Sequence, residues 1–179
     1  MARTFAAIPS VVLVICLFLP ALRVCGDPTT PITCPPVYAP YFGALGIALV
    51  ALVRRGGLVK LGAAFTVVLD VVTVGGIGAL VVEDAHSLLW IPVACATLAA
   101  VFVAVSSIVR ATPSDRALAT IAIVHGVATT IWATVLAFDP DGMWGAHVTL
   151  FAALALTVTS IVWLREHADE PPLPPAIVR

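Results

Sequence analysis

The chain has 179 residues, of which 61% are apolar and 11% are charged, and its formal net charge is −1. Soluble domains carry about 25% charged residues, and a soluble core of this length cannot hide so much apolar surface. The near-zero net charge excludes the basic field that binds nucleic acid. With a mean hydropathy of +1.11, we expect an all-α integral membrane protein whose surroundings are the lipid bilayer.

Six apolar stretches follow one another along the chain, separated by short segments rich in charge, Gly, Pro or Ser. Each stretch predicts a transmembrane helix, because about 20 apolar residues cross the hydrocarbon core. The second stretch is short and needs Arg54 and Arg55 to snorkel. The predicted fold is therefore a six-transmembrane-helix bundle over residues 1–164, with spans at 4–22, 38–53, 61–82, 88–109, 117–138 and 146–164.

The two ends of the sequence carry further expectations. The first stretch has a second interpretation as a signal peptide, since Arg3 precedes an apolar core. Small residues at the spacing of a cleavage site are missing before Cys25, so we expect a retained span. Residues 165–179 are rich in Pro and are expected to form a disordered cytoplasmic tail.

The basic residues predict the orientation of the spans, because Lys and Arg close to span ends are retained in the cytoplasm. Every Lys and Arg other than Arg23 falls on one side of the predicted topology. Both termini are therefore expected in the cytoplasm. The expected location is the cell membrane of a bacterium, where the excess of Arg over Lys is typical of a GC-rich genome.

Cysteine placement predicts one disulfide. Cys16 and Cys95 fall inside apolar stretches, whereas Cys25 and Cys34 flank a Pro- and Thr-rich loop on the outer side. Only the second pair is placed to be oxidised, since that loop faces an oxidising compartment. We expect a Cys25–Cys34 disulfide.

Asp70 lies near the middle of the third predicted span, in a run of Val and Leu. A carboxylate at that depth costs about 3 kcal/mol on insertion scales and usually faces the bundle interior or a water-filled path. Thr66 and Thr73 share its face of a helix, at i−4 and i+3. The sequence therefore predicts an inward-pointing polar stripe on this span.

His125 lies at the matching depth of the fifth predicted span, which runs in the same direction as the third. Both groups fall roughly 12–13 Å from the cytoplasmic ends of their spans at 1.5 Å per residue. Thr129 continues the His125 face at i+4. A carboxylate and an imidazole at one depth would stabilise each other in hydrocarbon, and would form a proton relay or a cation site.

Two other interpretations of these side chains stay open. Asp70 can be protonated and hydrogen-bonded to a hydroxyl or carbonyl of another helix, which fixes helix packing. One of the two ionisable residues can instead face a pore alone. Gly43 and Gly46 are expected to serve close helix packing. The candidate proton or cation relay comprises Asp70, His125, Thr66, Thr73 and Thr129.

Catalytic, metal and cofactor motifs do not stand out from the sequence. His86 and His147 lack further ligands at metal-site spacing, and residues 139–142 lack the remaining acids of a calcium loop. We expect no catalytic residue, no metal and no cofactor. Whether the protein is an enzyme stays uncertain, with a non-catalytic protein favoured.

Two functions remain in view at this stage. The first is a non-catalytic scaffold or accessory subunit that acts with a membrane-protein partner or as a homo-oligomer, its polar residues serving packing. The alternative is a small transporter or channel subunit in which Asp70 and His125 handle protons or a cation. Water reaching Asp70 would favour the second function, and a dry interior the first.

Overall fold

The computed structural model describes residues 2–33, 39–53, 56–83, 101–111 and 113–167. Within these ranges the chain is mostly helical, as expected, and the helical segments are six in number. Their bounds are α1 (Ala2–Cys16), α2 (Ala39–Leu52), α3 (Gly56–Glu83), α4 (Val101–Arg110), α5 (Asp115–Ala137) and α6 (Trp144–Glu166). Two short strands, β1 (Leu22–Val24) and β2 (Asp27–Thr29), precede a 3-10 turn at Pro31–Thr33.

The helices follow the predicted spans closely in the second half of the chain. The stretches predicted at 117–138 and 146–164 are helical, as α5 and α6, and most of the stretch predicted at 38–53 is helical, as α2. The helix α3 begins at Gly56, ahead of the predicted residue 61. Most of the span predicted at 88–109 lies outside the described residues, and only its last part is seen, as α4.

The first span was predicted too long. Helix α1 ends at Cys16 rather than near residue 22, and Leu17, Phe18 and Leu19 close it with tighter turns onto the carbonyls three residues earlier. Pro20 follows this turn, and a proline disfavours helical backbone at the residue before it. The next residues form β1 instead, so residues 22–29 are a β-hairpin and not the loop that their composition predicted.

The hairpin turn consists of Cys25 and Gly26, which both have positive φ angles, of 54° and 91°. Consecutive positive φ angles match the right-handed twist of paired strands. The hairpin also bonds to the connection between α5 and α6: Arg23 N donates to Asp141 O at 2.9 Å, and Met143 N donates to Ala21 O at 3.0 Å. We call this side of the bundle the hairpin end.

The predicted Cys25–Cys34 disulfide is not found. Cys25 carries a free, exposed thiol at the hairpin turn, and Cys34 lies outside the described residues. Backbone pairing of β1 with β2, and of the hairpin with residues 141–143, holds this segment.

The last described helix continues past residue 164, where the predicted bundle ends. Helix α6 continues through Arg165 to Glu166, and His167 closes it through a backbone hydrogen bond to Leu164 O. Residues 168–179 lie outside the described residues. Arg165 in the last turn of α6 interacts favourably with the negative end of the helix dipole, which favours this extension.

Five helices close into a ring in the order α1, α2, α3, α5 and α6, each packed on the next and α6 packed on α1. Helix α2 also reaches across to α5. Small residues allow the close approaches: a Cβ added to Gly126 of α5 would lie 2.5 Å from Thr157 Oγ1 of α6. The predicted close packing at Gly46 is also seen, since a Cβ there would collide with Thr66 Oγ1 and Gly62 O of α3.

Successive helices run in opposite directions, as the contacts of their ends show. Arg3 of α1 donates to the carbonyls of Val50 and Val53 at the C-terminal end of α2, and Lys60 of α3 donates to Val109 O of α4. Arg3 also pairs with Asp115, the first residue of α5. We call this side the Arg3 end, and it lies opposite the hairpin end.

Helices α5 and α6 are long and apolar enough to cross a membrane. Buried core helices of soluble proteins meet the same criterion, so length and composition alone do not define a span. Helices α1, α2 and α4 are apolar but shorter within the described residues.

Candidate functional site

The ionisable residues of α3 and α5 meet inside the bundle. His125 Nδ1 lies 2.7 Å from Asp70 Oδ1, with the imidazole fully buried and Asp70 only 5% exposed. The contact joins residues 55 positions apart in the chain. It exists because α3 and α5 run in the same direction and pack directly on each other. Of the three arrangements considered from the sequence, the structure has the direct pair.

Gly43 of α2 makes room for the imidazole. A Cβ at this position would lie 2.5 Å from His125 Cε1 and 2.9 Å from Nδ1, closer than Cβ atoms approach other atoms. Any larger residue would require the ring or the helix to shift. The pair therefore occupies a junction of three helices, with α2 closing it from one side.

Thr129 contacts the far side of the His125 ring. Its hydroxyl lies 3.4 Å from Nε2, and its side chain is fully buried. A threonine hydroxyl carries one hydrogen to donate and lone pairs to accept. The buried polar chain therefore runs from the Asp70 carboxylate through both ring nitrogens to the Thr129 hydroxyl.

This chain has two protonation states in which each of its contacts remains a hydrogen bond. With Asp70 ionised, His125 Nδ1 carries a hydrogen and donates it to Oδ1. Nε2 then accepts from the Thr129 hydroxyl when the ring is neutral, or donates to Thr129 Oγ1 when the ring is an imidazolium. The first state leaves one net negative charge on the pair, and the second leaves none. In both states the two contacts of the ring remain hydrogen bonds.

The other two candidate residues are not joined to the pair by any described contact. Thr66 Oγ1 donates to Gly62 O at 3.0 Å and lies 3.1 Å from Gly43 O, so its hydroxyl serves the α2–α3 packing. Thr73 lies in α3, and its side chain is outside the described part of the structure. Of the predicted stripe, Thr66 therefore serves helix packing and Asp70 belongs to the pair, while the role of Thr73 stays a prediction.

A shallow groove lies between α3 and α5 beside the pair. It encloses about 180 Å³ and is lined by Val67, Asp70, Val71, Thr120, Ile121 and Val124. The Thr120 hydroxyl donates to Arg116 O, within its own helix. Asp70 and Thr120 contribute only apolar atoms to its accessible lining, so the groove is apolar where the described residues form it.

A second polar cluster, which sequence reasoning missed, occupies the Arg3 end. Arg3 Nη1 lies 3.0 Å from Asp115 Oδ1, and its guanidinium stands 5.7 Å from the centre of the Trp163 ring. His167 Nε2 lies 3.7 Å from the other oxygen of Asp115. We call these four side chains the Arg3 cluster. In the sequence only the positive charge of Arg3 stands out, and that charge bears on the orientation of the helices and does not predict its partners.

Gly43 is the other residue whose role at the site was not foreseen. The sequence indicated close packing at Gly43 and Gly46, but nothing in it named the His125 ring as the neighbour. Among the described residues there is no group of three or more His, Cys, Asp or Glu that could hold a metal ion.

Comparisons with known proteins do not assign a family. No family model, curated protein or solved structure gives a significant match to this chain. The chemistry of the site therefore has to be argued from its own geometry.

Proposed function

We propose that this chain is a multi-pass membrane protein of a bacterial cell membrane, and that its Asp70–His125 pair binds and releases protons as part of a small transporter or channel subunit. The observation that carries the proposal is the buried chain of Asp70, His125 and Thr129. Its two hydrogen-bonded states differ by one proton. The membrane placement and the proton chemistry have separate support.

The membrane placement is supported by the distribution of side chains between the surface and the interior of the bundle. Large apolar side chains are exposed on the helices, for example Phe102 at 73%, Phe138 at 78% and Phe151 at 70%. Seven polar side chains are buried inside the bundle: Ser10, Thr66, Asp70, His125, Thr129, Thr149 and Ser160. A soluble protein seldom exposes so much apolar surface, whereas a bundle in lipid does so along its whole length.

The orientation is supported by the contacts at the two ends of the bundle. The Arg3 end gathers Arg3, Lys60 and the start of α5, which the distribution of basic residues assigns to the cytoplasm. The free thiol of Cys25 is exposed at the opposite end. An impermeant maleimide added to intact cells should therefore label Cys25 and leave Ser114→Cys unlabelled. Labelling of Ser114→Cys from outside would reverse the topology.

The proton chemistry can be tested by infrared difference spectroscopy of the reconstituted protein over a pH titration. We expect bands of a carboxylate and an imidazole that change together in the wild-type protein and disappear in Asp70→Asn and in His125→Gln. Asp139→Asn, which removes an exposed acid at the hairpin end, is the matched control and should keep the bands. Proteoliposomes loaded with a pH-sensitive dye should show proton flux that Asp70→Asn abolishes.

A scaffold or accessory subunit is the second candidate function. It is favoured by the position of the pair between α3 and α5 with Gly43 of α2 against it, which fixes three helices relative to one another. In that case the pair stabilises assembly with a membrane-protein partner or a second copy of the chain. Equal proton flux in the wild-type protein and Asp70→Asn, with no titrating bands, would leave this function as the better one.

A further inference from the structure

Two buried polar groups of α6 have no hydrogen-bond partner in the part of the chain that the structure describes. They are the hydroxyl of Ser160 and the indole nitrogen of Trp163, and both side chains are fully buried. An unpaired polar group in a protein interior is costly, so such groups nearly always bond to protein atoms or to ordered water. These two atoms therefore indicate a small polar ligand inside the bundle.

The Ser160 hydroxyl lacks the acceptor that other helical hydroxyls use. Ser10, for example, donates to the carbonyl four residues earlier, Ala6 O. For Ser160 that carbonyl is Leu156 O, and the Thr159 hydroxyl already lies 3.1 Å from it. The same oxygen accepts the backbone N–H of residue 160 within α6, and a carbonyl oxygen has two lone pairs. The local backbone therefore leaves the Ser160 hydroxyl available to a ligand.

The contacts of α6 place Ser160 between the Arg3 end and the Asp70–His125 pair. About one turn to one side, Trp163 stacks against the guanidinium of the Arg3 cluster. About one turn to the other side, Thr157 packs on Gly126, the residue that follows His125. At 1.5 Å per residue, Ser160 lies about 4.5 Å along the helix axis from each of these two levels. A ligand at Ser160 therefore lies on the Arg3 side of the pair.

The residues level with Ser160 on the two neighbouring helices are small and apolar. Helix α6 runs opposite to both α1 and α5 and packs on both. Ala6, one turn beyond Arg3, and Ala122, one turn before Gly126, therefore come level with Ser160. Both alanines are fully buried in the core of the bundle. Their methyl groups form no hydrogen bonds, so a ligand here has to be small and has to bond to the side chains of α6.

We propose that Ser160 and Trp163 hold an internal water molecule on the Arg3 side of the Asp70–His125 pair, and that this water passes protons between that side and the pair. Its role in proton transfer rests on the proposed function, whereas its binding does not. A buried water makes about two to four hydrogen bonds, and these two side chains supply two of them.

The chemistry of the two side chains sets the orientation of the water. An indole N–H can only donate, so the water oxygen accepts from Trp163, whereas the Ser160 hydroxyl can donate or accept. At least one hydrogen of the water then remains for the interior of the bundle, where His125 lies. During transfer each oxygen takes up one proton as it gives up another, so the water and the hydroxyl are unchanged afterwards.

The first experiment detects the water through the indole N–H of Trp163. Protein in lipid nanodiscs is isotope-labelled at its tryptophans, and Trp163→Phe assigns the indole signal. We expect a cross-peak between this signal and water in a rotating-frame cross-relaxation spectrum, where the sign separates dipolar contact from hydrogen exchange. Ser160→Ala should weaken the cross-peak severalfold, because the water loses one of its two side-chain partners.

Ser10→Ala is the matched control, since it removes a buried hydroxyl that is already bonded within its own helix. This variant should keep the cross-peak of the wild-type protein. A wild-type protein without the cross-peak would overturn the inference, and so would an undiminished cross-peak in Ser160→Ala.

The second experiment follows the infrared bands of the pair in oriented proteoliposomes after a rapid pH change on the Arg3 side. In Ser160→Ala the bands should still titrate, because Asp70 and His125 are intact, but they should respond at least tenfold more slowly. Ser10→Ala should respond at the wild-type rate. Equal rates in Ser160→Ala and the wild-type protein would reject the proton route through the water. A water cross-peak in a protein without titrating bands would keep the water site and reject the proposed function.

Discussion

The Asp70–His125 pair and the Arg3 cluster each join an acid to a histidine or an arginine, but they do so in different surroundings. The pair is enclosed by three helices, and each partner has few alternatives for its charge or its hydrogen bonds. In the Arg3 cluster the side chain of Arg3 is 19% exposed and that of Asp115 is 35% exposed, and Arg3 also holds two backbone carbonyls. Burial therefore makes the pair costly to break, and partial exposure with several partners makes the Arg3 cluster tolerant.

The largest expected effect comes from breaking the pair on one side only. His125→Gln and Asp70→Asn should each lower the free energy of unfolding in detergent, by about 3 kcal/mol for the variant that strands a buried charge. The double variant should lose much less than the sum, because neither partner is then left alone. Chemical unfolding of the four proteins measures the cycle. Strict additivity would mean that the two residues do not interact.

A smaller effect is expected from pushing the pair apart without changing either partner. Gly43→Ala places a Cβ against the His125 ring and should lower the free energy of unfolding by about 1–3 kcal/mol, as overpacking does. The matched control is Gly57→Ala in the first turn of α3, where a Cβ meets nothing within 4 Å. That variant should be neutral or slightly more stable, since alanine favours helix. Equal effects of the two variants would argue against the tight junction.

Removing Arg3, which lies in the partly exposed Arg3 cluster, should lower the free energy of unfolding by a moderate amount. Arg3→Ala loses the ion pair to Asp115, the bonds to Val50 and Val53, and the stacking on Trp163. We expect the free energy of unfolding to fall by about 1–2 kcal/mol, because Arg3 makes several contacts but they are partly exposed to solvent. Arg3→Lys should recover only part of it, since an ammonium cannot hold these partners as a planar fork. Full recovery in Arg3→Lys would mean that charge alone matters.

The smallest effect is expected at the rim of the Arg3 cluster. His167→Gln removes a contact of 3.7 Å to a carboxylate that is 35% exposed, and exposed ion pairs contribute about 0–1 kcal/mol. The loss should also shrink as salt is raised, because ions screen exposed charges. The loss from His125→Gln should not change with salt. A salt-sensitive effect at His125 would place water at the pair.

The sequence predicted the helices better than it predicted their ends. Apolar stretches predicted that α2, α5 and α6 are helices, and the charged or Gly-rich segments between the stretches predicted where one helix is separated from the next. The end of α1 was missed because residues 17–22 are as apolar as the residues of α1 itself. The helix ends before Pro20, and the segment that follows bonds to residues 141–143. That pairing joins residues far apart in the chain, and no local pattern of apolar and polar residues predicts it.

The site was predicted in part for a similar reason. Matched depth and parallel direction favoured a meeting of Asp70 and His125, and these follow from counting residues along helices. Thr66 and Gly43 could not be assigned in this way, because their roles depend on how α2 rotates against α3 and α5. The Arg3 cluster depends on where helix ends meet, which the order of helices alone does not specify.

The packing of α1 on α6 has a consequence for the order in which the bundle is made. Helix α1 is the first and α6 the last of the described helices to be synthesised, yet the two are neighbours in the ring and the hairpin bonds to the segment that begins α6. The face of the early helices that α6 covers therefore stays exposed until α6 has been synthesised. Chains that stop before Trp144 should remain sensitive to protease, since the ring lacks the helix that closes it.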